Sequence, residues 1–177
     1  MLSLDLGIQV VTIDLGGWDT HEAQGTGSGG TFSGLVASLG SALAAFMTDM
    51  EARGIAERLT VVVMTEFGRR LDENGDQGTD HGHAVPMLVL GPNVNGGLHG
   101  SFPGLAPDQL FEGVDVEVTT DYRRVLSEIL IKRAGNRRIG EIFPDYTGYS
   151  ALGVVQGDDL PPIHTEIREG GSGRVTP

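Results

Sequence analysis

The apolar run at residues 59–65 constrains the fold of this chain more than any other segment. It contains Val61, Val62 and Val63 in succession, so both faces of a strand formed here would be apolar. Strands of this kind occur at the centre of parallel sheets, where helices cover both faces. The run is far shorter than the roughly 18–20 residues that a membrane-spanning helix needs. It therefore predicts a buried central strand, and the sequence predicts no membrane span.

A strand and a helix are predicted before this run, in the order of a β-α-β unit. Residues 7–14 are rich in β-branched side chains and end before a Gly-Gly pair, which predicts a short buried strand. Apolar side chains recur at three- and four-residue intervals from Ser33 to Arg53, which predicts a helix that Thr31 or Ser33 caps and Gly54 ends. A helix that joins two parallel strands makes a right-handed crossover.

Shorter elements are predicted in the second half of the chain. Residues 85–90 indicate a strand, and residues 107–111 indicate a turn of helix. A helix is predicted from a cap at 119–121 to about Ala134, where Gly135 ends it. Together these elements predict an α/β fold with a mostly parallel sheet flanked by helices.

Composition excludes several classes of function. The 177 residues include 12 Lys and Arg against 24 Asp and Glu, for a net charge of −12, and this charge argues against nucleic-acid binding. The chain has no cysteine, so any metal ion must be bound by histidines and carboxylates. The first five residues carry no basic side chain, which predicts that this sequence includes no export signal. A bound divalent cation would still allow an anionic substrate, because it reverses the local charge.

Four of the five histidines lie in two glycine-rich stretches, 16–34 and 68–104, where most of the candidate functional residues are found. In the first stretch, Asp19 and His21 are two residues apart and could reach one metal ion from an extended backbone. In the alternative interpretation, Asp19 caps a turn and His21 forms a local hydrogen bond.

A second cluster directly follows the apolar run. Glu66 stands where a carboxylate can act as a metal ligand beyond a strand end. Arg69 and Arg70 could bind an anionic group through their guanidinium forks. Alternatively, the two arginines form weak surface ion pairs with Asp72 and Glu73.

The third cluster is the most informative. Asp80, His81 and His83 offer three donors within four residues, and Gly78 and Gly82 let the backbone bend around an ion. A mixed set of imidazoles and carboxylates favours Zn²⁺ or Mn²⁺, with Ca²⁺ or Mg²⁺ as alternatives.

Several further residues allow two interpretations. His99 could point into the site or be a solvated loop histidine, and Trp18 could stack on a substrate ring or pack internally. Thr20 and Thr79 lie in the site loops, but nothing in the sequence marks either as an activated nucleophile. Motifs of serine hydrolases, P-loop enzymes and Rossmann domains are absent from the sequence.

The ordered motifs resemble those of an uncharacterised bacterial sulfatase-like family, domain-of-unknown-function family 1501. The resemblance covers roughly residues 7–148 and is carried by short motifs at 17–21, 62–69, 78–82, 96–100 and 119–123. It implies the alkaline phosphatase and sulfatase superfamily, an alkaline-phosphatase-like sheet, and one or two divalent metals that assist hydrolysis of phosphate or sulfate esters.

The resemblance also implies roles for individual residues. Asp19 and His21 match ligands of one metal ion, which His81 or His83 would complete. Glu66 stands where relatives carry the Asp of an Asp-His pair, but Phe67 replaces the His. A second metal site would then depend on Asp80, while Arg69, Trp18 and His99 would contact the substrate.

The same resemblance predicts the organisation of the chain. Residues 1–149 would be the C-terminal portion of a sulfatase-like α/β domain that is incomplete at its N-terminus, and residues 150–177 a loosely ordered tail. The expected function is hydrolysis of a small anionic ester, with the chain inactive alone because the nucleophile region is missing. The alternative is a non-catalytic, metal-stabilised binding or structural domain. Export to the periplasm in longer members and homo-oligomers formed through an open sheet edge are further expectations.

Overall fold

The computed structural model describes residues 7–27, 29–166 and 174–176. Its helices are α1 (Thr31–Ala52), α2 (Tyr122–Ala134) and α3 (Ile139–Ile142), with 3-10 turns at Ala56–Arg58 and Pro107–Gln109. Its strands are β1 (Val61–Val63), β2 (Gly68–Arg69), β3 (His81–Gly82), β4 (Leu88–Leu90), β5 (His164–Glu166) and β6 (Arg174–Thr176).

The strands form small antiparallel pairs. Among the described residues β1 pairs with β4, β2 with β3 and β5 with β6, each as a two-stranded sheet. The prediction of a mostly parallel sheet flanked by helices, with an alkaline-phosphatase-like fold, is therefore wrong. The valines that suggested a central strand form β1, but their register places Val61 opposite Leu90 and Val63 opposite Leu88 in an antiparallel ladder.

The strand predicted at residues 7–14 does not form. This segment has no strand hydrogen bonding, and Val10 and Ile13 are 77% and 84% exposed. A strand needs a neighbour to satisfy its backbone and a layer to cover its side chains, and the described part of the chain supplies neither here. The predicted β-α-β crossover over residues 7–65 is wrong for the same reason.

The chain divides into two compact units. The first comprises residues 1–59, 64–86 and 103–118, and contains α1, β2 and β3. The second comprises residues 60–63, 87–102 and 119–177, and contains the other helices and strands.

In the first unit, the predicted long helix is confirmed as α1. It begins after Gly30 without a side-chain cap, so the prediction that Thr31 or Ser33 caps it is wrong. Met50 is its buried residue, and most of the helix is exposed. By length and composition alone α1 could cross a membrane, a criterion that core helices of water-soluble proteins also meet. The prediction of no membrane span stays a prediction.

In the second unit, α2 forms as predicted. The side chain of Asp121 accepts a hydrogen bond from the backbone N–H of Arg123, and Gly135 ends the helix in the left-handed conformation at φ 64°. The predicted helical turn near 107–111, in the first unit, is confirmed as the 3-10 turn at Pro107–Gln109. The core of the second unit contains Ile131 and Ile139.

A buried carboxylate ties α2 to the segment that follows α3. The fully buried Glu128 side chain accepts hydrogen bonds from Lys132 Nζ at 3.0 Å and from the backbone N–H groups of Leu152 at 2.6 Å, Gly153 at 3.0 Å and Val155 at 3.1 Å. The buried charge is compensated by one cation and three backbone dipoles, as such a charge requires.

The predicted tail at 150–177 is described only in part. Val154 and Val155 are buried, while β5 and β6 form an antiparallel pair. Residues 167–173 and 177 lie outside the described residues. The division at residue 149 stays a prediction.

Candidate metal centre

Two loops of the first unit lie side by side and bring the predicted ligands together. The backbone N–H groups of Ala23 and Gln24 donate to the carbonyl oxygens of Asp76 and Gln77, at 3.0 and 2.9 Å. The N–H of Thr79 donates to the carbonyl of Thr20 at 3.4 Å. The loop that carries Asp19 and His21 is thereby held against the loop that leads into β3.

Glycines permit this close packing. A Cβ at Gly78 would lie 2.2 Å from the carbonyl carbon of His21, and one at Gly82 would lie 2.3 Å from that of Arg69. At Gly68 it would lie 2.2 Å from the carbonyl oxygen of Ala84. Two of these glycines, Gly68 and Gly82, are paired across β2 and β3. Gly78 therefore allows the two site loops to approach each other, and Gly68 and Gly82 allow the close pairing of β2 and β3.

Three predicted ligands converge on one point. The Oδ1 atom of Asp19 lies 3.0 Å from His21 Nε2 and 2.7 Å from His81 Nε2. One ligand atom from each residue lies within 4.8 Å of the others. Their side chains are 61%, 44% and 48% exposed, in the order Asp19, His21 and His81. A ligand could thus reach the cluster directly from solvent.

The two distances from Asp19 Oδ1 are close to those that a small divalent ion requires, and the two imidazole nitrogens lie within 4.8 Å of each other. Zinc bonds of about 2.0–2.1 Å in a tetrahedron place neighbouring ligand atoms about 3.3 Å apart. The two observed distances to Asp19 Oδ1, 2.7 and 3.0 Å, would have to lengthen by only a few tenths of an ångström. Rotation of exposed side chains can supply such a change.

His21 lies between two carboxylates. Its Nδ1 is 3.1 Å from Asp80 Oδ1, while its Nε2 faces Asp19. A neutral imidazole carries one N–H, so one of these two nitrogens must face a carboxylate oxygen with a lone pair. Two facing lone pairs repel each other unless a cation, either a proton or a metal ion, lies between them.

Hydrogen bonds stabilise the ionised form of both carboxyl groups, Asp19 and Asp80. The bond from His81 lowers the pKa of Asp19 from its ordinary value, and the nearby His21 and Arg69 act in the same direction. The bond from Asn74 lowers the pKa of Asp80, followed by the bond from His21. Ionised carboxylates are the form that binds metal ions.

Phe67 and Arg69 support the cluster from the side of β2. The Phe67 ring stacks on the His81 ring at 3.9 Å between centroids and 10° between planes. Arg69 donates hydrogen bonds to the carbonyl oxygens of Thr79 and Trp18 and, at 3.2 Å, to Asp19. Its guanidinium therefore joins the site loops, and its predicted contact with substrate stays a prediction.

Other predicted site residues lie apart from the converging atoms. Glu66 is exposed, and His83 stacks on Phe111 at 4.1 Å. Trp18 packs edge-on against Phe32 at 5.9 Å. His99 belongs to the second unit, where its ring nitrogens lie 2.8 Å from the carbonyl oxygen of Asn95 and 3.3 Å from that of Leu152.

Sequence reasoning missed two residues that hold the site loops. Gln24 Oε1 accepts hydrogen bonds from the hydroxyl groups of both Thr20 and Thr79, at 2.8 Å each. Asn74 contacts both loops through its side-chain amide. The Asn74-Gly75 pair was a readable turn signal, whereas nothing in the sequence singled out Gln24.

A cavity of about 360 Å³ lies beside the same loops, and its lining includes Ala23, Glu73 and Gln77. None of the three converging ligands lines this cavity. The cluster itself opens to solvent.

Comparison with known proteins gives one result. The model of a family described as "Protein of unknown function (DUF1501)" matches residues 3–136, more than half of the chain. No curated protein and no solved structure matches the chain significantly.

Proposed function

Since this chain belongs to the DUF1501 family, whose description assigns no activity, we propose a function from the geometry of the site. The chain binds a divalent metal ion, zinc or manganese, through Asp19, His21 and His81. With that ion it hydrolyses small phosphate or sulfate esters. Calcium and magnesium are less suited, because two of the three ligands are imidazoles.

One observation carries the metal proposal. His21 faces a carboxylate oxygen from each of its ring nitrogens, Asp80 on one side and Asp19 on the other. A metal ion at Nε2 would replace the unfavourable contact with Asp19 by two coordinate bonds, while the Nδ1–H donates to Asp80. A hydrogen bond from a ligand histidine to a carboxylate is the usual support of metal-binding imidazoles.

The arrangement of the ligands favours catalysis over a purely structural metal. Three protein ligands leave a coordination position free, whereas structural zinc sites use four. When bound, the ion would supply Lewis acidity toward an ester oxygen and a more acidic water. The exposure of all three side chains leaves room for the ester.

The order of the motifs supports a finer proposal, that these residues correspond to the C-terminal portion of a sulfatase-like enzyme. Thr20 and Thr79 are poor nucleophiles as placed, because both hydroxyl groups donate to Gln24. Water would therefore attack the ester when this chain acts alone.

The occupied hydroxyl groups also favour a second candidate function. A chain with a metal site whose two neighbouring threonines, Thr20 and Thr79, are not activated could serve as a non-catalytic, metal-stabilised binding domain. The two candidates share the metal site and differ in turnover, so they need separate experiments.

Loss of His81 should abolish tight metal binding. We expect His81→Ala to weaken zinc affinity by more than about 100-fold, because loss of an outer-shell partner alone costs about 10–100-fold. Isothermal titration calorimetry of the metal-free protein with zinc and with manganese measures this effect.

The matched control for this variant is His83→Ala. His83 lies two residues away but stacks on Phe111 instead of joining the cluster, so its loss should leave the affinity unchanged. Failure of the unmodified chain to bind either metal, or equal losses in the two variants, would contradict the proposed site.

Ester hydrolysis is tested with p-nitrophenyl phosphate and p-nitrophenyl sulfate. We expect turnover of at least one ester that requires added zinc or manganese, disappears in Asp19→Ala and persists in His83→Ala. Tight metal binding without turnover would reject the hydrolase and select the non-catalytic candidate.

A further inference from the structure

We infer that Asn74 is a positioning residue of the metal centre, an inference that rests on the proposed function. Its side chain uses both its donor and its acceptor groups. The Nδ2 group donates to the carbonyl oxygen of His21 at 2.8 Å and to Asp80 Oδ1 at 3.1 Å. The Oδ1 atom accepts from the backbone N–H groups of Asp76 and Gly78, at 3.0 Å each.

The Nδ2 group of Asn74 supports His21 through two hydrogen bonds. It holds the main-chain carbonyl directly, and it holds the Asp80 carboxylate that contacts the Nδ1 atom of the ring. The Asp80 side chain is 51% exposed, so without this bond its contact with His21 Nδ1 has no support from the 74–78 loop. Asn74 therefore helps to hold both the backbone of His21 and, through Asp80, the ring orientation that turns Nε2 toward Asp19.

The Oδ1 atom of Asn74 stabilises the turn instead of contacting His21 or Asp80. Its bonds to the N–H groups two and four residues later build the turn of the 74–78 loop, as asparagine side chains commonly do. The two tasks can be separated experimentally, because an aspartate at this position keeps acceptor oxygens for the turn and loses both donor bonds. It also sets a carboxylate against Asp80 and the carbonyl of His21.

The test compares Asn74→Asp with the unmodified chain. We expect Asn74→Asp to lower zinc affinity about 10–100-fold, the usual cost of losing a partner of a ligand histidine. This loss should occur although the added negative charge would by itself favour a cation. With cobalt(II) as the probe, we also expect the visible absorption bands to shift, because they report the arrangement of the ligands.

Two controls separate positioning from folding. The melting temperature of metal-free Asn74→Asp should fall only modestly, because the turn is kept while two donor bonds are lost and a carboxylate faces Asp80. The loss of zinc affinity should exceed what this fall accounts for. Asn136→Asp adds the same charge at a turn in the second unit, where Asn136 Oδ1 accepts from the N–H of Arg138 at 3.0 Å, and should leave zinc affinity unchanged.

The outcomes distinguish this inference from the proposed function. If the unmodified chain binds zinc and Asn74→Asp binds it equally well with the same cobalt spectrum, Asn74 has no positioning role and the metal site stands. If affinity falls only in proportion to a lower melting temperature, the role is structural and the inference is wrong. If the unmodified chain binds no metal, the proposed function itself fails.

Discussion

Replacing Glu128 with alanine should lower the free energy of unfolding by about 3–5 kcal/mol, the usual cost of breaking a buried ion pair from one side. The variant leaves the ammonium group of Lys132, whose side chain is only 9% exposed, without its carboxylate. It also removes the acceptor of three backbone N–H groups between residues 152 and 155. Urea denaturation followed by circular dichroism at 222 nm, which monitors the helices, measures the loss.

Glu141→Ala is the control for this prediction. Glu141 pairs with Arg138 at 3.1 Å on the surface, and its side chain is 45% exposed. Exposed pairs contribute about 0–1 kcal/mol, so this variant should unfold nearly as the unmodified chain does. If the two variants lose similar amounts of unfolding free energy, the burial of Glu128 does not explain its contribution to stability.

The stabilisation by Glu128 should also depend on pH. Burial raises the pKa of Glu128, but the bonds from Lys132 and from the backbone of Val155 and Leu152 outweigh it and leave the pKa below its ordinary value. A carboxyl group with a lowered pKa in the folded state stabilises fully above its unfolded pKa, and the effect is lost as pH falls through the folded value. The difference in the free energy of unfolding between the unmodified chain and Glu128→Ala should therefore become smaller as the pH falls into the acidic range.

The helices were predictable because their signals are local. The apolar spacing between residues 33 and 53 needs no distant partner to indicate α1, and Asp121 and Gly135 mark the two ends of α2 within the sequence itself. The cap of α1 was mispredicted because Gly30 begins the helix through its backbone, at φ 103°, and offers no side chain to recognise.

The strands were not predictable in the same way. A β-branched segment forms a strand only where a second segment pairs with it, and that partner is not encoded locally. Residues 7–14 have the composition of a strand but no partner among the described residues, whereas Val61–Val63 pair with Leu88–Leu90. The valines form a strand, as their composition indicated, but the prediction that this strand is buried is wrong, because Val61–Val63 are only half-buried. Nor did their composition show the direction of the neighbouring strand.

The candidate site was predictable in part for a related reason. The spacing of Asp19 and His21, and the Asp80-His81 pair, indicated ligands within each loop, and the structure brings three of those four residues to one point. Spacing could not show that β3 ends at Gly82, after which His83 turns to Phe111. Nor could it show that Asp80 contacts the far side of the His21 ring.

The sequence showed that the site loops are rich in glycine, but not why glycine is needed there. Gly78 and Gly82 were expected to let the backbone bend, yet neither has a positive φ. Their importance comes from the space that a side chain would fill between two backbones. Composition alone cannot separate such a glycine from one in an open turn, such as Gly75, around which nothing lies within 4 Å.

Gly78→Ala should therefore disrupt the metal centre. The added methyl group would lie 2.2 Å from the carbonyl carbon of His21 and 2.6 Å from the backbone nitrogen of Glu22, where ordinary contact begins at 3.4 Å. Both neighbours are backbone atoms, so the two site loops must move apart by about 1 Å, since a packed interior offers little room. Misplacement by 1 Å can cost about 100-fold in function.

We expect Gly78→Ala to lower zinc affinity at least about 100-fold and to destabilise the chain by about 1–3 kcal/mol, the usual cost of overpacking. Gly75→Ala is the matched control, because it makes the same substitution in the same loop at a position with open space and no positive φ. It should keep the affinity and could gain up to about 1 kcal/mol from a stiffer unfolded chain. Calorimetric titration of both variants measures their zinc affinity, and urea denaturation measures their free energy of unfolding. If Gly78→Ala binds zinc as well as Gly75→Ala does, the two loops do not form the site together, and the cluster of Asp19, His21 and His81 cannot be the metal centre.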